Sequence, residues 1–328
     1  MSSPRTLKYG LAINEAFHQV MEKDPSVILI GQGTKSPWYV GNTAQGLLER
    51  FGPNRVIDTP VSENAITGAA VGAALAGMKP VVVHPRVDFM LYAFDPIVNQ
   101  SANWFYMNGG KNPVPVVFWG IINRGGEQAA QHSQALHATF AHIPGLKVVM
   151  PATPYDAKGL MVAAVMDPNP VVFIDDRWQY ELEDVVPEEY YSVPIGKANV
   201  RVVGNDVTLV ALSTLVEESN IAVTELKKEG ISVELIDIRS IKPLDIQTII
   251  SSVEKTGRLV IADPGWHTYG VSAEIAAVVG EKTFNKLKSP IIRVALPDCP
   301  APAATVLEKV YYIESEAIIQ AVRKVFAE

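Results

Sequence analysis

The sequence predicts an α/β protein of two doubly wound domains, and three observations carry that prediction. The chain has 328 residues, roughly twice the ~150 of a typical domain, so two domains are expected, each able to bury its own core. Its strand-like runs are apolar throughout instead of alternating, which marks sheets covered on both faces. Segments of helical length separate those runs, as parallel strands joined by crossover helices require.

The first half supplies the runs VILIG (27–31), VVVHP (81–85), VPVVFWG (114–120), LKVVMP (146–151) and VVFID (171–175). Between them, residues 64–77, 88–107 and 153–166 have the length of helices. From Asp175 to Asp206 the pattern breaks into an acidic stretch interrupted by Pro187 and Pro194, the expected connection between domains. A second alternation follows. VTLVAL (207–212) leads to a helix that stops at Gly230, then SVELIDI (232–238) to a helix after Pro243, and RLVIAD (258–263) to a helix from Ser272. IIRVAL (291–296) and a last helix from Ser315 complete a smaller doubly wound unit. The domains are placed at 1–185 and 200–328, with 186–199 as linker.

Composition narrows the function classes. With 48% hydrophobic and 19% charged residues and no low-complexity tract, the chain has an ordinary globular profile. A net charge of -7 without a Lys/Arg block argues against nucleic-acid or anionic-membrane binding. The single cysteine, Cys299, allows no internal disulfide, and no Cys/His cluster offers a zinc site, so a reducing compartment is expected. The N-terminal segment lacks an apolar signal core, and the small-apolar stretch Ala69–Met78 falls short of the ~18 residues a membrane span needs. A cytoplasmic protein is expected, or one of the mitochondrial matrix if a transit peptide has been removed.

The most informative segment is DTPVSENAITGAAVGAALAGMKP (58–80), which sets Glu63 at the mouth of a helix of alanine and glycine. A helix N-terminus welcomes negative charge. Two readings stand side by side: Ser62 or Glu63 caps the helix, or Glu63 is a reactive acid. Gly68, Gly72 and Ala76, and likewise Ala69, Ala73 and Gly77, recur every four residues and leave two stripes without bulk. Such stripes permit a close helix crossing, within the chain or with another subunit. Downstream, VHPRVDFMLYAFDPIVNQ holds Phe89 and Arg86, and AAQHSQALHATFAH holds His132. Phe89 suits ring stacking or a core. Arg86 suits a substrate carboxylate or phosphate, or a surface ion pair. His132 is of the residue type that suits a proton carrier, or is a structural hydrogen-bonded residue like His137 and His142. The five-residue spacing of the three histidines is poor for metal ligation from one helix face. NRGGEQ (123–128) is Gly-rich but lacks the strand–GxGxxG–helix form of a dinucleotide site.

These segments resemble the beta subunits of thiamine-diphosphate-dependent 2-oxoacid dehydrogenases of the pyruvate and branched-chain type, in the transketolase-like superfamily. The resemblance covers nearly the whole chain. It implies a transketolase-like pyrimidine-binding domain followed by a transketolase C-terminal-like domain. It implies that Glu63 shares a proton with the cofactor's aminopyrimidine, that Phe89 lies on that ring, that Val61 lines it, and that His132 assists proton movement during acyl transfer. A proton-sharing acid of this kind works in a dry pocket. By the same resemblance, DPNPVVF (167–173) belongs to a structural K⁺ site of Val116, Ala164, Asp167 and Asn169. No GDG motif for the Mg²⁺-bound diphosphate occurs in the chain. An alpha-type partner carrying that half is therefore implied, in an α2β2 heterotetramer, with the acyl group passed to a lipoyl transacylase or to another acceptor. Two departures stand out: VHPRVDF replaces an EFMTFNF-like run, and Lys288 stands where some members dock the transacylase through an Asp. The competing readings are half of a split transketolase or carboligase, and a non-catalytic interface subunit.

Overall fold

The computed structural model describes residues 5–328; residues 1–4, the head of the segment read for a signal core, lie outside it. In chain order the first half forms strands β1 (Thr6–Lys8), β2 (Val27–Gln32), β3 (Val56–Thr59), β4 (Lys79–His84), β5 (Val117–Ile122), β6 (Lys147–Val149), β7 (Val171–Asp176) and β8 (Glu183–Val185). The second half adds β9 (Asn199–Val202), β10 (Val207–Ala211), β11 (Val233–Asp237), β12 (Ser240–Lys242), β13 (Leu259–Trp266) and β14 (Ile292–Leu296). Three sheets result: a seven-stranded one in the order β12-β6-β7-β5-β4-β2-β3, a five-stranded one in the order β14-β13-β10-β11-β9, and the β1-β8 pair.

Six strands of the larger sheet are mutually parallel, which explains their composition. β5 and β7 are buried along their whole length, because crossover helices cover both faces. Parallel pairing also puts the carboxyl ends of β2, β3, β4, β5 and β7 on one edge. The chain steps from β2 outward to β3, then returns to the other side of β2 as β4, so the order reverses there. In open α/β sheets the crevice at such a reversal is where ligands bind.

Three features depart from the sequence reading. Residues 88–107 do not form one helix but a 3₁₀ segment Val87–Ala93, a π-type segment Pro96–Ala102 and a short α-helix Asn103–Met107. Pro96 has no N–H to give the regular ladder. Strand β12, inside the smaller unit, crosses over to pair antiparallel with β6 of the larger sheet. The cores are also not only one apiece: beside an apolar cluster around Phe17 and Trp119 and another around Leu209 and Val322, a third runs from Val82, Phe118 and Ile174 to Ile236, Ile261 and Ile275. Two buried polar links reinforce that joint. The Arg239 Nη1 donates to Asp156 Oδ1 at 2.9 Å, and His137 Nε2 meets Asp263 Oδ1 at 2.9 Å with both side chains fully buried. Among the described residues no helix is long and apolar enough to cross a membrane.

Asp175, at the end of β7, accepts a hydrogen bond from the Trp119 indole at 3.0 Å, and burial pushes its carboxyl up to about 7. Unfolded, such a group titrates near ~4, so its stabilising protonated form persists below that pH and is lost as pH rises toward 7. Denaturant midpoints should therefore decrease as pH rises from about 4 to about 7. Asp175→Asn, which keeps an acceptor for Trp119, should flatten part of that decline; a slope identical to the wild type would contradict the assignment.

Candidate active site

Glu63 opens the helix Glu63–Leu75 that follows β3 and leads into β4. The N-cap is Ser62, one residue earlier, and its side chain closes no cap hydrogen bond. Neither residue therefore acts as a side-chain cap, and Glu63 stands half-buried in the first turn, where the helix dipole favours a carboxylate. The helix buries Ile66, Thr67, Ala70, Val71 and Ala74 against the chain, while Gly68, Ala69 and Gly72 face outward. Added Cβ atoms at Gly68 and Gly72 would meet nothing within 4 Å. The small-residue stripe is thus not used for packing within the chain. A buried hydrogen bond of 3.2 Å between Thr67 Oγ1 and His84 Nε2 ties the helix to the end of β4. Burial lowers the His84 pKa to about 4, so the ring is neutral there.

Beyond His84 the chain turns through Pro85 and Arg86 into the 3₁₀ segment. Asp88 is buried and accepts from Gln134 Nε2 at 2.8 Å and from Gln134 N at 3.3 Å, while burial raises its carboxyl above the ordinary range. This pair joins the segment after β4 to the loop after β5. Its consequence is that Phe89 and His132 meet edge to face, with ring centroids 5.4 Å apart at 80°. The Asn64 side chain reaches the Tyr92 carbonyl at 3.5 Å, drawing the start of the Glu63 helix toward the same segment. Val61, just before Glu63, is exposed. The structure therefore gathers Val61, Glu63, Phe89 and His132 on the carboxyl edge of the sheet.

The loop carrying His132 is braced from the smaller unit. Gly125 and Gly126 take positive φ, as do Glu127 and Ala129. A Cβ on Gly125 would sit 2.1 Å from the Trp178 ring, so glycine is needed there. Two hydrogen bonds hold this backbone, Gly125 N to Tyr312 Oη at 3.1 Å and Glu127 N to Glu308 Oε1 at 3.0 Å, and Thr305 Oγ1 donates to the Glu127 side chain at 2.7 Å. Arg124 lies against the Trp178 and Tyr312 rings and pairs with Asp176 at 3.2 Å. The sequence reading saw NRGGEQ only as a failed dinucleotide loop and passed over Glu308 and Tyr312. Their signal is contact across about 180 residues, which a single sequence does not display.

The other candidates are placed as follows. Arg86 is buried and bonds its own neighbour, Nη1 to Pro85 O at 2.6 Å. His137 is a structural residue of the domain joint, and His142 closes the short helix His137–His142. Around the turn after residue 164, Val171 N donates to Val116 O and Asp167 N to Ala164 O. Asp167 also accepts from Asn169 N and pairs with Lys147. Asn169 Oδ1 is buried without a hydrogen-bond partner. Lys288 folds back to bond the Thr256 carbonyl at 3.0 Å, at the end of a helix.

Comparison with known proteins shows the family. Residues 5–181 match the transketolase pyrimidine binding domain, and residues 196–318 match the transketolase C-terminal domain. The chain is 43% identical to the acetoin:2,6-dichlorophenolindophenol oxidoreductase subunit beta of Cupriavidus necator, over 98% of this chain and 97% of that one. It is likewise 43% identical to the pyruvate dehydrogenase E1 component subunit beta of Rickettsia felis, over 96% of each. A solved split-gene transketolase, described as an inactive beta4 tetramer, superposes with a TM-score of 0.81 over 98% of both chains at 20% identity, a likeness of fold alone.

The brace makes a specific prediction. Glu308→Ala and Tyr312→Phe should each speed amide exchange within residues 123–134 by about tenfold or more, while exchange in the helix Glu63–Leu75 stays unchanged. Unaltered exchange in the loop would show that the smaller unit does not hold it.

Proposed function

The chain belongs to the transketolase-like family of thiamine-diphosphate-dependent enzymes that includes the pyruvate dehydrogenase E1 beta and acetoin oxidoreductase beta subunits, and on that premise we propose that it is the beta subunit of a 2-oxoacid-decarboxylating component. The observation that carries this reading is that Phe89 and His132 meet on the edge of the parallel sheet from which the Glu63 helix also starts. When bound, thiamine diphosphate supplies the carbon nucleophile that 2-oxoacid decarboxylation requires.

The chain's own residues would act as follows. The half-buried Glu63 carboxyl, free of any capping task, holds a proton at N1′ of the aminopyrimidine. Closure of the site by a second subunit would exclude water and strengthen that hydrogen bond. The Phe89 ring and Val61 offer apolar area to the pyrimidine, which stacking holds without polar groups. His132, set against Phe89, moves a proton as the acyl group leaves for its acceptor.

The diphosphate and its Mg²⁺ are left to an alpha partner, since the chain has no GDG motif. Support comes from the edge itself, where Trp38, Val61, Leu91, Tyr92 and Trp178 are all exposed, an apolar rim suited to another subunit. The outward stripe of Gly68, Ala69 and Gly72 supports self-association in an α2β2 assembly. A lipoyl transacylase is the proposed acceptor. Lys288 is committed to the Thr256 carbonyl, so docking would have to use other side chains. A structural K⁺ is the proposed occupant near Val116, Ala164, Asp167 and Asn169. The unpartnered Asn169 oxygen supports it, and Lys147 competes for Asp167.

Two outcomes are expected. Calorimetry of the isolated chain should show no thiamine diphosphate binding in the micromolar range, with binding appearing when the alpha partner is added; tight binding by the lone chain contradicts the half-site. Glu63→Ala in the assembled complex should lower decarboxylation by more than about a thousandfold without changing the assembly's mass. Retained turnover would favour an interface role alone.

A further inference from the structure

We propose that Arg86, with Arg177 on the same sheet edge, receives a second anionic group on the substrate, so that the 2-oxoacid carries a carboxylate or phosphate at its far end. The inference rests on the function proposed above and names its substrate class.

Arg86 lies two residues past the end of β4 and three before Phe89, on the edge that gathers the active-site residues. It is only 7% exposed. A guanidinium carries five N–H donors and keeps its charge, and burying such a charge is costly unless it is paired. Arg86 is poorly supplied. Nη1 donates to Pro85 O at 2.6 Å, Nη2 reaches Gln128 Oε1 only at 3.5 Å, and Nε is buried with no partner. Among the described residues no carboxylate forms an ion pair with it. The nearest acid in sequence, Asp88, turns its Oδ1 to Gln134. By contrast Arg124 and Arg239, which are similarly covered, each face a carboxylate, Asp176 and Asp156.

Arg177 sharpens the imbalance. It follows β7 directly, and its two terminal nitrogens bond only main-chain carbonyls, Trp38 O at 2.8 Å and Pro37 O at 2.9 Å. Burial first, and then the charge of Arg177, lower the Arg86 pKa from its ordinary value, while the charge of Asp88 works the other way. Between β4 and β7 lies β5, whose following loop brings Gln128 to Arg86 and His132 to Phe89. Two cations, neither in an ion pair with a carboxylate among the described residues, on the sheet edge that also carries His132, form a receptor for a negative group. The planar fork of arginine suits a carboxylate or phosphate held by two parallel bonds. A monoanionic 2-oxoacid spends its one carboxylate at the reacting carbon and leaves this fork empty.

The test uses the complex purified with its alpha subunit, assayed for CO₂ release from 2-oxobutyrate, 2-oxoglutarate and phosphonopyruvate. One of the two doubly charged acids should exceed 2-oxobutyrate in kcat/KM by about a hundredfold or more. Which of them does so separates the carboxylate from the phosphate-like source. Arg86→Gln should collapse that ratio by at least about tenfold, and Arg86→Lys should restore part of it. A ratio near one in the wild-type complex overturns the proposal without any variant, as does a ratio that Arg86→Gln leaves unchanged. A complex that turns over 2-oxobutyrate fastest overturns the anionic subsite alone. One that decarboxylates none of the three, nor pyruvate, overturns the enzymatic reading with it.

Discussion

Parallel pairing of the central strands is the constraint from which the rest follows. Because β2, β3, β4, β5 and β7 run the same way, everything that follows their carboxyl ends emerges on one edge. Residues as distant in sequence as Glu63, Phe89, His132 and Arg177 become neighbours of that edge without any local signal bringing them together. The buried, branched side chains that favour a sheet covered on both faces thus also decide where chemistry can occur. The reversal of strand order beside β2 opens the crevice, and the helix that begins at Glu63 starts next to it.

The smaller unit does more than extend the chain. It lends β12 to the larger sheet, shares its largest apolar cluster, and reaches across with Arg239 and Asp263 to bury two polar links. From its last third, Thr305, Glu308 and Tyr312 hold the glycine-rich loop in a conformation with positive φ at Gly125, Gly126, Glu127 and Ala129. A loop so held can present His132 at a fixed place, which is what proton transfer over a short distance requires. The apolar rim around the crevice and the unpacked glycine stripe of the Glu63 helix show the same economy from the other side: surfaces that the chain leaves open are those a second subunit would cover.

Much of this was legible in the sequence where the signal is local. The all-apolar runs at 27–31, 114–120 and 171–175 became buried parallel strands because burial on both faces leaves no polar alternation. Glu63, Phe89 and His132 were singled out through the resemblance of their segments, and the periodicity of Gly68 and Gly72 told of a bare stripe without telling which way it faced. The illegible parts depend on distant partners. Ser240–Lys242 is too short to announce which sheet it joins, and residues 87–107 look helical by composition although Pro96 and the buried Asp88 break the ladder into three. Arg86 read as either a ligand group or a surface ion pair, and only burial without a carboxylate separates the two.

The central claim is that the Glu63 carboxyl shares a proton with the aminopyrimidine of thiamine diphosphate at a boundary with another subunit. The most direct measurement is a structure of the complete complex with the cofactor bound. The account predicts a Glu63 carboxylate oxygen about 2.7–3 Å from N1′ of the pyrimidine, with the diphosphate gripped by the other chain. A cofactor bound with Glu63 turned to solvent, or a diphosphate held by this chain, would contradict it.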